Sequence, residues 1–162
     1  MDIARHLIVA FTGHRTYNHS ADEQLQLVIE QLYTEGARVF RVGMAEGFDL
    51  AAGGELLKTK QHHPDIEIEA IIPYPDFERR HNLCNLLLYR DIVSAAYITF
   101  ADESYHQGVY YKRNDMLIEG ADVVVAWWNG SRSGTKYTLQ RARKRGARII
   151  NLYNNRQLEL DL

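Results

Sequence analysis

Short apolar runs alternate with segments of helical periodicity along this chain, and that alternation constrains the fold more than any other feature. The first run, residues 7–11, is continuous and apolar, which is typical of a strand covered on both faces. The most apolar run, residues 122–128, contains three consecutive valines. Strand and helix patterns follow one another five times, which predicts a parallel sheet with helices on both faces. We therefore expect an α/β, Rossmann-like, doubly wound domain with a mainly parallel sheet.

The same patterns predict where each element lies. A capping box of Ser20 and Glu23 is expected to start the first helix, and Gly36 to stop it. The leucine alternation in the tail, residues 155–162, predicts an edge strand or an exposed arm, and one domain accounts for residues 1–162. Strands are predicted at 7–11, 38–42, 66–72, 97–100, 122–128 and 148–152, and further helices at 49–60, 77–96 (mostly helical, in one or two pieces), 110–119 and 135–145.

Composition narrows the class of protein. With 162 residues, 46% hydrophobic and 25% charged, the chain is long enough and apolar enough for one globular core. The formal net charge of −2 predicts no bulk attraction to nucleic acid or to an anionic membrane. The single cysteine, Cys84, excludes an intramolecular disulfide and is expected to be a core thiol in a reducing compartment. Since no run approaches the ~20 apolar residues of a membrane span, we expect a soluble, cytoplasmic protein without a membrane partner.

Loops that follow predicted strands are the candidate ligand-binding segments, because ligands of doubly wound sheets bind beyond the carboxyl ends of the strands. The loop at 12–15 combines a glycine that permits close backbone approach with an arginine that offers five donors to a phosphate; a turn glycine beside a solvated arginine is the alternative. The loop at 129–135 opens a helix, and its small and hydroxyl residues are typical of an anion site. The candidate binding residues of these two loops are Gly13, His14, Arg15, Gly130, Ser131, Ser133, Gly134 and Thr135.

A further loop, at residues 43–49, carries two glycines four positions apart between a strand and a helix. Gly43 and Gly47 resemble a phosphate-cradling turn, although the spacing is not that of the GxGxxG fingerprint. Asp49 is either a binding residue or the N-cap of the following helix. Glu46 would repel a phosphate, so it is a candidate for a ribose hydroxyl contact or for an acid–base role.

One predicted helix also sends polar side chains toward the same edge of the sheet. Arg113 and Asn114 lie where they can reach the crevice, the alternative being an ordinary helix surface with a salt bridge. A single loop supplies only weak binding, since a hydrogen bond to a charged group contributes about 1.5–3 kcal/mol. Three loops that converge on one ligand reach about −8 kcal/mol, which corresponds to micromolar affinity. The prediction of a ligand site therefore depends on convergence of the loops.

These segments, in this order, resemble the SLOG superfamily and most closely its YpsA-like branch. The resemblance implies a Rossmann-like fold that binds nucleotides or nucleotide-derived ligands. It also implies a homo-oligomer, since relatives often pair through helices beside the site. The relatives include the cytokinin-activating phosphoribohydrolases and the DNA-processing protein of natural transformation. The segments that carry the resemblance are 12–15, 43–49, the turn Pro73-Tyr74-Pro75, 112–114 and 129–138.

The resemblance to the phosphoribohydrolases raises the hypothesis that this chain is also an enzyme. They cleave an N-glycosidic bond with an arginine, which Arg113 matches, and with the glutamate of a PGGxGTxxE motif. Gly134 and Thr135 match the GT of that motif, but Thr138 falls at the glutamate position. Threonine cannot act as a general base near neutral pH, and loss of such a group typically removes about 10²–10⁴-fold in rate. Whether the chain is an enzyme stays open, with Glu46 and Arg113 as the candidate catalytic residues.

Three functional hypotheses follow. The leading one is binding of a nucleotide or nucleotide-derived small molecule at the carboxyl edge of the sheet. The alternatives are a nucleotide hydrolase of the N-glycosidase type and a regulatory protein that handles single-stranded DNA. No cofactor motif is evident, and no residues have metal-ligand spacing. Nucleic acid is expected to be an unlikely partner, because the helix dipole explains the basic cluster and no aromatic residues interleave with it; the cluster comprises Arg141, Arg143, Lys144, Arg145 and Arg148.

Overall fold

A computed structural model describes residues 5–153 of the chain, which form a doubly wound α/β domain. The strands are β1 (Leu7–Gly13), β2 (Ala37–Val42), β3 (Glu67–Ile72), β4 (Tyr97–Phe100), β5 (Val123–Trp127) and β6 (Arg148–Asn151). The α-helices are α1 (Asp22–Thr34), α2 (Phe48–His62), α3 (Leu83–Ala95), α4 (Val109–Ile118) and α5 (Gly134–Lys144), and a 3₁₀ helix spans Pro75–Arg80. All strand pairs are parallel, in the order β4-β3-β2-β1-β5-β6. The predicted Rossmann-like fold is confirmed.

Two hydrophobic clusters cover the two faces of the sheet. Helices α1, α2 and α3 pack together over one face, and α4 and α5 pack together over the other. Side chains of the central strands alternate between the clusters: Val9 and Phe11 belong to the first, and Ala10 to the second. Trp127 and Trp128 likewise enter opposite clusters, as the period of two in a strand requires. Because both faces are covered, every residue of β5 is buried.

The strand order places the topological switch point between β1 and β5. Strands β1 to β4 extend the sheet in one direction, and the chain then returns to add β5 on the other side of β1. At the ends of β1 and β5, Gly13 pairs in register with Trp127. The loops that follow these two strands therefore leave the sheet side by side and diverge to opposite faces, which opens a crevice between them.

Most predicted boundaries agree with the structure within one or two residues, and the segment predicted over 77–96 is split into the 3₁₀ helix and α3. The predicted capping box is wrong: α1 has Ala21 at its N-cap with no side-chain hydrogen bond. The backbone N–H of Ser20 instead donates to Asn18 Oδ1 at 3.1 Å, in a turn that precedes the helix. Asp49 is not the N-cap of α2, because Gly47 holds that position.

The predicted core position of Cys84 is also wrong, since this thiol is exposed. Helix α3 is buried through Tyr89 and Ile92 in its second half. Its first turn therefore projects from the core, and Leu83 and Leu87 are exposed together with the cysteine. No helix within residues 5–153 is long and apolar enough to cross a membrane. The tail at 155–162, predicted as an edge strand or arm, lies outside the described residues.

Candidate functional site

The loops after β1 and β2 meet through their backbones at Gly47. This glycine has φ of +88°, and a Cβ atom there would lie 2.6 Å from the carbonyl oxygens of both His14 and Arg15. Beside it, the backbone N–H of Phe48 donates to His14 O at 3.2 Å. Only glycine permits this approach, because real Cβ contacts are essentially never so short. The contact fixes the position of Arg15 relative to the start of α2.

His14 connects the loop after β1 with the loop after β5. Its backbone N–H donates to Trp127 O at 3.4 Å, and its Nε2 accepts from the backbone N–H of Asn129 at 3.1 Å. Burial lowers the pKa of this imidazole, and a side-chain hydrogen bond with Asn129 opposes that effect to a smaller extent. The neutral ring with a free Nε2 lone pair is the form that can accept this hydrogen bond. His14 therefore acts as a bridge across the switch point.

A crevice of about 250 Å³ opens between these loops. The exposed Arg15 lies on one side, and the first turn of α5 lies on the other. Ser133 caps that helix, its Oγ accepting from the backbone N–H of Lys136 at 3.2 Å. The N–H groups of the first helical turn have no partner within the helix and carry its positive dipole end. The crevice is lined by Thr12, Gly13, His14, Arg15, Ala45, Asp49, Tyr110, Arg113, Asn114, Ser133, Gly134 and Thr135.

The floor of the crevice is a buried pair of opposite charges, Asp49 and Arg113, which are 6% and 7% exposed. The Arg113 guanidinium donates to Gly43 O and, through Nε, to Asn114 Oδ1 at 2.8 Å. The Asp49 carboxylate accepts from the backbone N–H of Ala45 at 3.3 Å. Gly43 packs directly on the pair, because a Cβ there would lie 2.9 Å from Asp49 Oδ2 and 3.1 Å from an Arg113 nitrogen.

Burial controls the ionisation of this pair. Desolvation raises the pKa of Asp49 to about 6, and the nearby positive charge of Arg113 reduces that rise. Desolvation likewise lowers the pKa of Arg113, while Asp49 partly restores it. A buried carboxylate with a strongly raised pKa beside a cation in a cleft is a common feature of functional sites. The arrangement can hold a positive charge and exchange a proton near neutral pH.

An aromatic wall borders the crevice on the α4 side. Tyr110 lines it, and its hydroxyl lies 3.2 Å from the hydroxyl of Tyr74, which also accepts from Arg80 Nε at 2.8 Å. Desolvation is the main cause that raises the pKa of Tyr110 to about 12. The phenol is therefore neutral at physiological pH and offers a hydrogen-bonding edge.

A second cavity, of about 390 Å³, adjoins the crevice at Arg15. Glu46 lines it and is held by the start of α3: its Oε2 accepts from the Asn85 side chain and, at 3.4 Å, from the backbone N–H of Asn82. Both cavities share Arg15 as a wall. The residues of the second cavity are Arg15, Tyr17, His19, Glu46, Gly47, Leu50, Ala51, Asn82, Asn85 and Leu88.

The structure brings together most, but not all, of the residues predicted to bind a ligand. Gly43 packs behind the floor, Glu46 and Gly47 line the second cavity, and Gly130 and Ser131 line neither cavity. The predicted residues that share the crevice are Gly13, His14, Arg15, Asp49, Arg113, Asn114, Ser133, Gly134 and Thr135. Three further residues line the crevice that were not among the predicted ligand-binding residues, although all three lie in segments that the sequence singles out: Thr12, Ala45 and Tyr110.

The two candidate catalytic residues do not face the same cavity. Arg113 lines the crevice, whereas Glu46 lines the second cavity and is bound to α3. Thr138, which falls at the glutamate position of the phosphoribohydrolase motif, is fully buried and donates through Oγ1 to Gly134 O at 2.9 Å. Among residues 5–153 no group of three or more His, Cys, Asp or Glu side chains is arranged to hold a metal ion.

The six-stranded parallel sheet, with helices on both faces, makes this a Rossmann-like α/β domain, and its polar, partly cationic crevice lies at the switch point of the sheet. Within that class, the chain belongs to the YspA SLOG family, whose YpsA profile matches residues 7–161. It is 24% identical over 153 residues to the UPF0398 protein BH1768 of Halalkalibacterium halodurans, covering 85% of this chain and 81% of that protein. It is 26% identical over 156 residues to YoqJ, an SPbeta prophage-derived protein of Bacillus subtilis, covering 86% and 91%.

Solved structures of DNA processing protein A have a similar fold. The Streptococcus pneumoniae protein superposes with a TM-score of 0.69 at 20% identity, over 89% of this chain and 49% of its own. The Helicobacter pylori protein also gives 0.69, at 23% identity, over 88% and 63%, and it has a single-stranded DNA binding mode. This chain thus spans about half to two thirds of these neighbours. The expectation that nucleic acid is an unlikely partner is contradicted, because a neighbour of the same fold binds single-stranded DNA.

Proposed function

We propose that this protein binds a nucleotide or nucleotide-derived small molecule, with a phosphate group in the crevice between the loops that follow β1 and β5. The observation that carries the proposal is the convergence of Arg15, Arg113 and the first turn of α5 on one cavity. Arg15 and the helix N-terminus supply donors at the surface of the crevice, and Arg113 adds positive potential from the buried floor, where Asp49 offsets part of it. A phosphate matches all three at once.

The size of the crevice agrees with a phosphate and its immediate substituents. At about 250 Å³ it is smaller than the ~300–1,000 Å³ of typical sites for whole small molecules. Charged hydrogen bonds of about 1.5–3 kcal/mol each, together with about 0.3–1 kcal/mol from the helix dipole, support micromolar affinity. The rest of the ligand must then extend out of the crevice.

Isothermal titration with AMP, ADP, ADP-ribose and a cyclic dinucleotide tests the proposal. Arg15→Ala is expected to weaken binding roughly 10–100-fold, the loss of one charged contact. Arg132→Ala is the matched control, since Arg132 is an exposed arginine of the loop before α5 that lines neither the crevice nor the second cavity. Absence of heat with every ligand, from folded protein, would refute the proposal.

A second candidate function is the handling of single-stranded DNA, and the DNA-binding mode of the Helicobacter pylori neighbour favours it. The basic cluster at the end of α5 offers the charge. Two of its members are paired, Arg141 with Asp115 at 2.7 Å and Arg148 with Glu35 at 3.2 Å, while Lys144 and Arg145 are exposed. Lys144 and Arg145 are therefore the side chains to substitute in a test of contacts with DNA phosphates.

Binding of a fluorescent oligothymidylate across a salt series distinguishes this function. For single strands the slope of log K against log salt is roughly −0.7 for each phosphate contacted. The double variant Lys144→Glu/Arg145→Glu is expected to weaken binding and flatten that slope. Arg79→Glu/Arg90→Glu makes the same charge change on the exposed arginines near α3 and should leave it unchanged. No binding at low salt would remove this candidate.

A further inference from the structure

We infer that the second cavity is the sugar subsite of the same ligand and that Glu46 recognises a pair of ribose hydroxyls, so that the protein selects ribonucleotides over their deoxy analogues. The inference rests on the proposed function. It adds that the part of the ligand outside the crevice is a ribose and that Glu46 is the residue that recognises it. The juxtaposition that carries it is a partly cationic crevice and a cavity lined by Glu46, which have one arginine, Arg15, in common.

The two cavities are chemically different in the way that the two halves of a nucleotide are. The crevice has two arginines, Arg15 and Arg113, and a helix N-terminus against one carboxylate, Asp49, so its charge balance favours an anion. Apart from the shared Arg15, the second cavity has the Glu46 carboxylate, the rings of Tyr17 and His19, two asparagine side chains and the apolar surfaces of Leu50 and Leu88. A second phosphate would be repelled by Glu46, whereas a neutral sugar supplies hydroxyl donors for carboxylate oxygens and carbon surface for the leucines.

The position of Glu46 is fixed by the protein rather than by a ligand. Oε2 is occupied by the Asn85 side chain and the Asn82 backbone N–H at the start of α3. Asn82 in turn caps that helix, its Oδ1 accepting from the Asn85 backbone N–H at 2.9 Å. Within residues 5–153 no hydrogen bond ends on Glu46 Oε1, and the half-buried side chain lines the cavity. Oε1 is thus a held acceptor, and a carboxylate bound in this way is suited to O–H donors.

Arg15 joins the two subsites. Its backbone, like that of His14, lies against Gly47, and among the residues of the two cavities it is the one that lines both. A phosphate bound to Arg15 on the crevice side leaves the sugar attached to that phosphate directed to the neighbouring cavity. The second cavity, at about 390 Å³, has room for a sugar with part of a base. The volume of the two cavities together falls within the ~300–1,000 Å³ of typical small-molecule sites, whereas the crevice alone is smaller than that.

The test compares the affinities of ADP, 2′-deoxy-ADP, 3′-deoxy-ADP and inorganic pyrophosphate by isothermal titration. The same series is then measured for the nucleoside diphosphate whose base gives the tightest binding. Loss of one hydroxyl donor to a charged acceptor is expected to weaken binding roughly 10–100-fold for the wild type. Glu46→Gln is expected to reduce that preference to a few-fold and to leave the affinity for pyrophosphate unchanged. Glu55→Gln is the control: this carboxylate of α2 pairs with Lys58 and lines neither of the two cavities.

Each outcome separates the inference from the proposed function. If the ribo and deoxy ligands bind equally while Arg15→Ala weakens both, the nucleotide site stands and the sugar subsite is wrong. If Glu46→Gln weakens pyrophosphate as much as ADP, Glu46 acts only by holding the loop, and the inference is again overturned. If neither nucleotides nor pyrophosphate bind to the folded protein, the proposed function fails together with the inference.

Discussion

The floor of the crevice and the wall of the second cavity use the same kinds of charge in opposite ways. On the floor, Asp49 and Arg113 are both buried, and each charge partly compensates the other. In the second cavity, Glu46 is half-buried and is held by polar groups of α3 rather than by a cation. The comparison teaches that the stability of the fold depends on Asp49 and Arg113, which act on a ligand through the charge they hold at the floor, whereas Glu46 can be changed at little cost. Variants at these positions test that difference directly.

The largest effect is expected from Arg113→Ala. Removing the cation leaves the Asp49 carboxylate buried without its countercharge and Gly43 O without its donor. Arg113 also donates to Asn114, so the substitution removes two hydrogen bonds of a charged donor, each of which contributes about 1.5–3 kcal/mol, and the expected loss is about 3–5 kcal/mol. Urea unfolding should show this loss for Arg113→Ala, and less than about 0.5 kcal/mol for Arg15→Ala, because Arg15 is exposed. Equal effects at the two arginines would mean that burial does not separate their roles.

The next effect concerns pH. The pKa of Asp49 lies at about 6 in the folded protein, above its ordinary 3.8. Between these values the folded protein holds a proton that the unfolded chain has released, so this group's contribution to stability is complete below about pH 4 and is lost as pH rises through about 6. The size of that loss is about 3 kcal/mol.

Asp49→Asn removes the titrating group, so the difference in unfolding free energy between wild type and variant should change by about that amount between pH 4 and pH 7. Asp76→Asn, at a carboxylate whose side chain is 73% exposed, is the control and should give a nearly constant difference. A flat difference for Asp49→Asn would show that folding does not raise the pKa of this carboxyl group. The measurement therefore reports how strongly burial outweighs the attraction of Arg113.

A smaller effect is expected where the two cavities meet. Gly47→Ala places a Cβ against two backbone oxygens at φ of +88°, and backbone strain of this kind costs about 2 kcal/mol. Gly108→Ala is the control, because Gly108 has φ of +89° with no atom within 4 Å of its Cβ position, so only the conformational cost of about 1 kcal/mol remains. If the two alanine variants are equally stable, the contact of Gly47 with Arg15 adds nothing.

Local patterns were sufficient to predict the strands and helices of this fold, because parallel strands buried on both faces are continuous apolar runs. The strand predicted at 122–128 is observed at Val123–Trp127 with every residue buried, and the crevice follows from strand order once β1 and β5 are adjacent. The exposure of Cys84 could not be predicted in this way. It depends on how far α3 extends beyond the core, which is a property of packing and not of the helical period.

The direction of Glu46 was equally inaccessible from the sequence. It depends on the N-terminus of α3, which lies 36 residues further along the chain and donates to the carboxylate. Met44, two residues before Glu46, has φ of +67°, a left-handed conformation that is uncommon for a long side chain and leaves no sequence signal. Gly43 and Gly47 predicted that the loop after β2 binds a ligand, but only the tertiary structure shows that its residues line two cavities.

The smallest change in stability is expected for Glu46→Gln, and it completes the comparison with Arg113. Glutamine retains an oxygen that can accept from Asn82 N–H and Asn85, so the contact with α3 survives. What is lost is a negative charge at the N-terminus of that helix, which is worth about 0.3–1 kcal/mol. Thermal or urea unfolding should therefore find Glu46→Gln within about 1 kcal/mol of wild type, several-fold less than Arg113→Ala. A loss as large as that of Arg113→Ala would make Glu46 a structural anchor, and a carboxylate committed to the fold would not be available to a ligand.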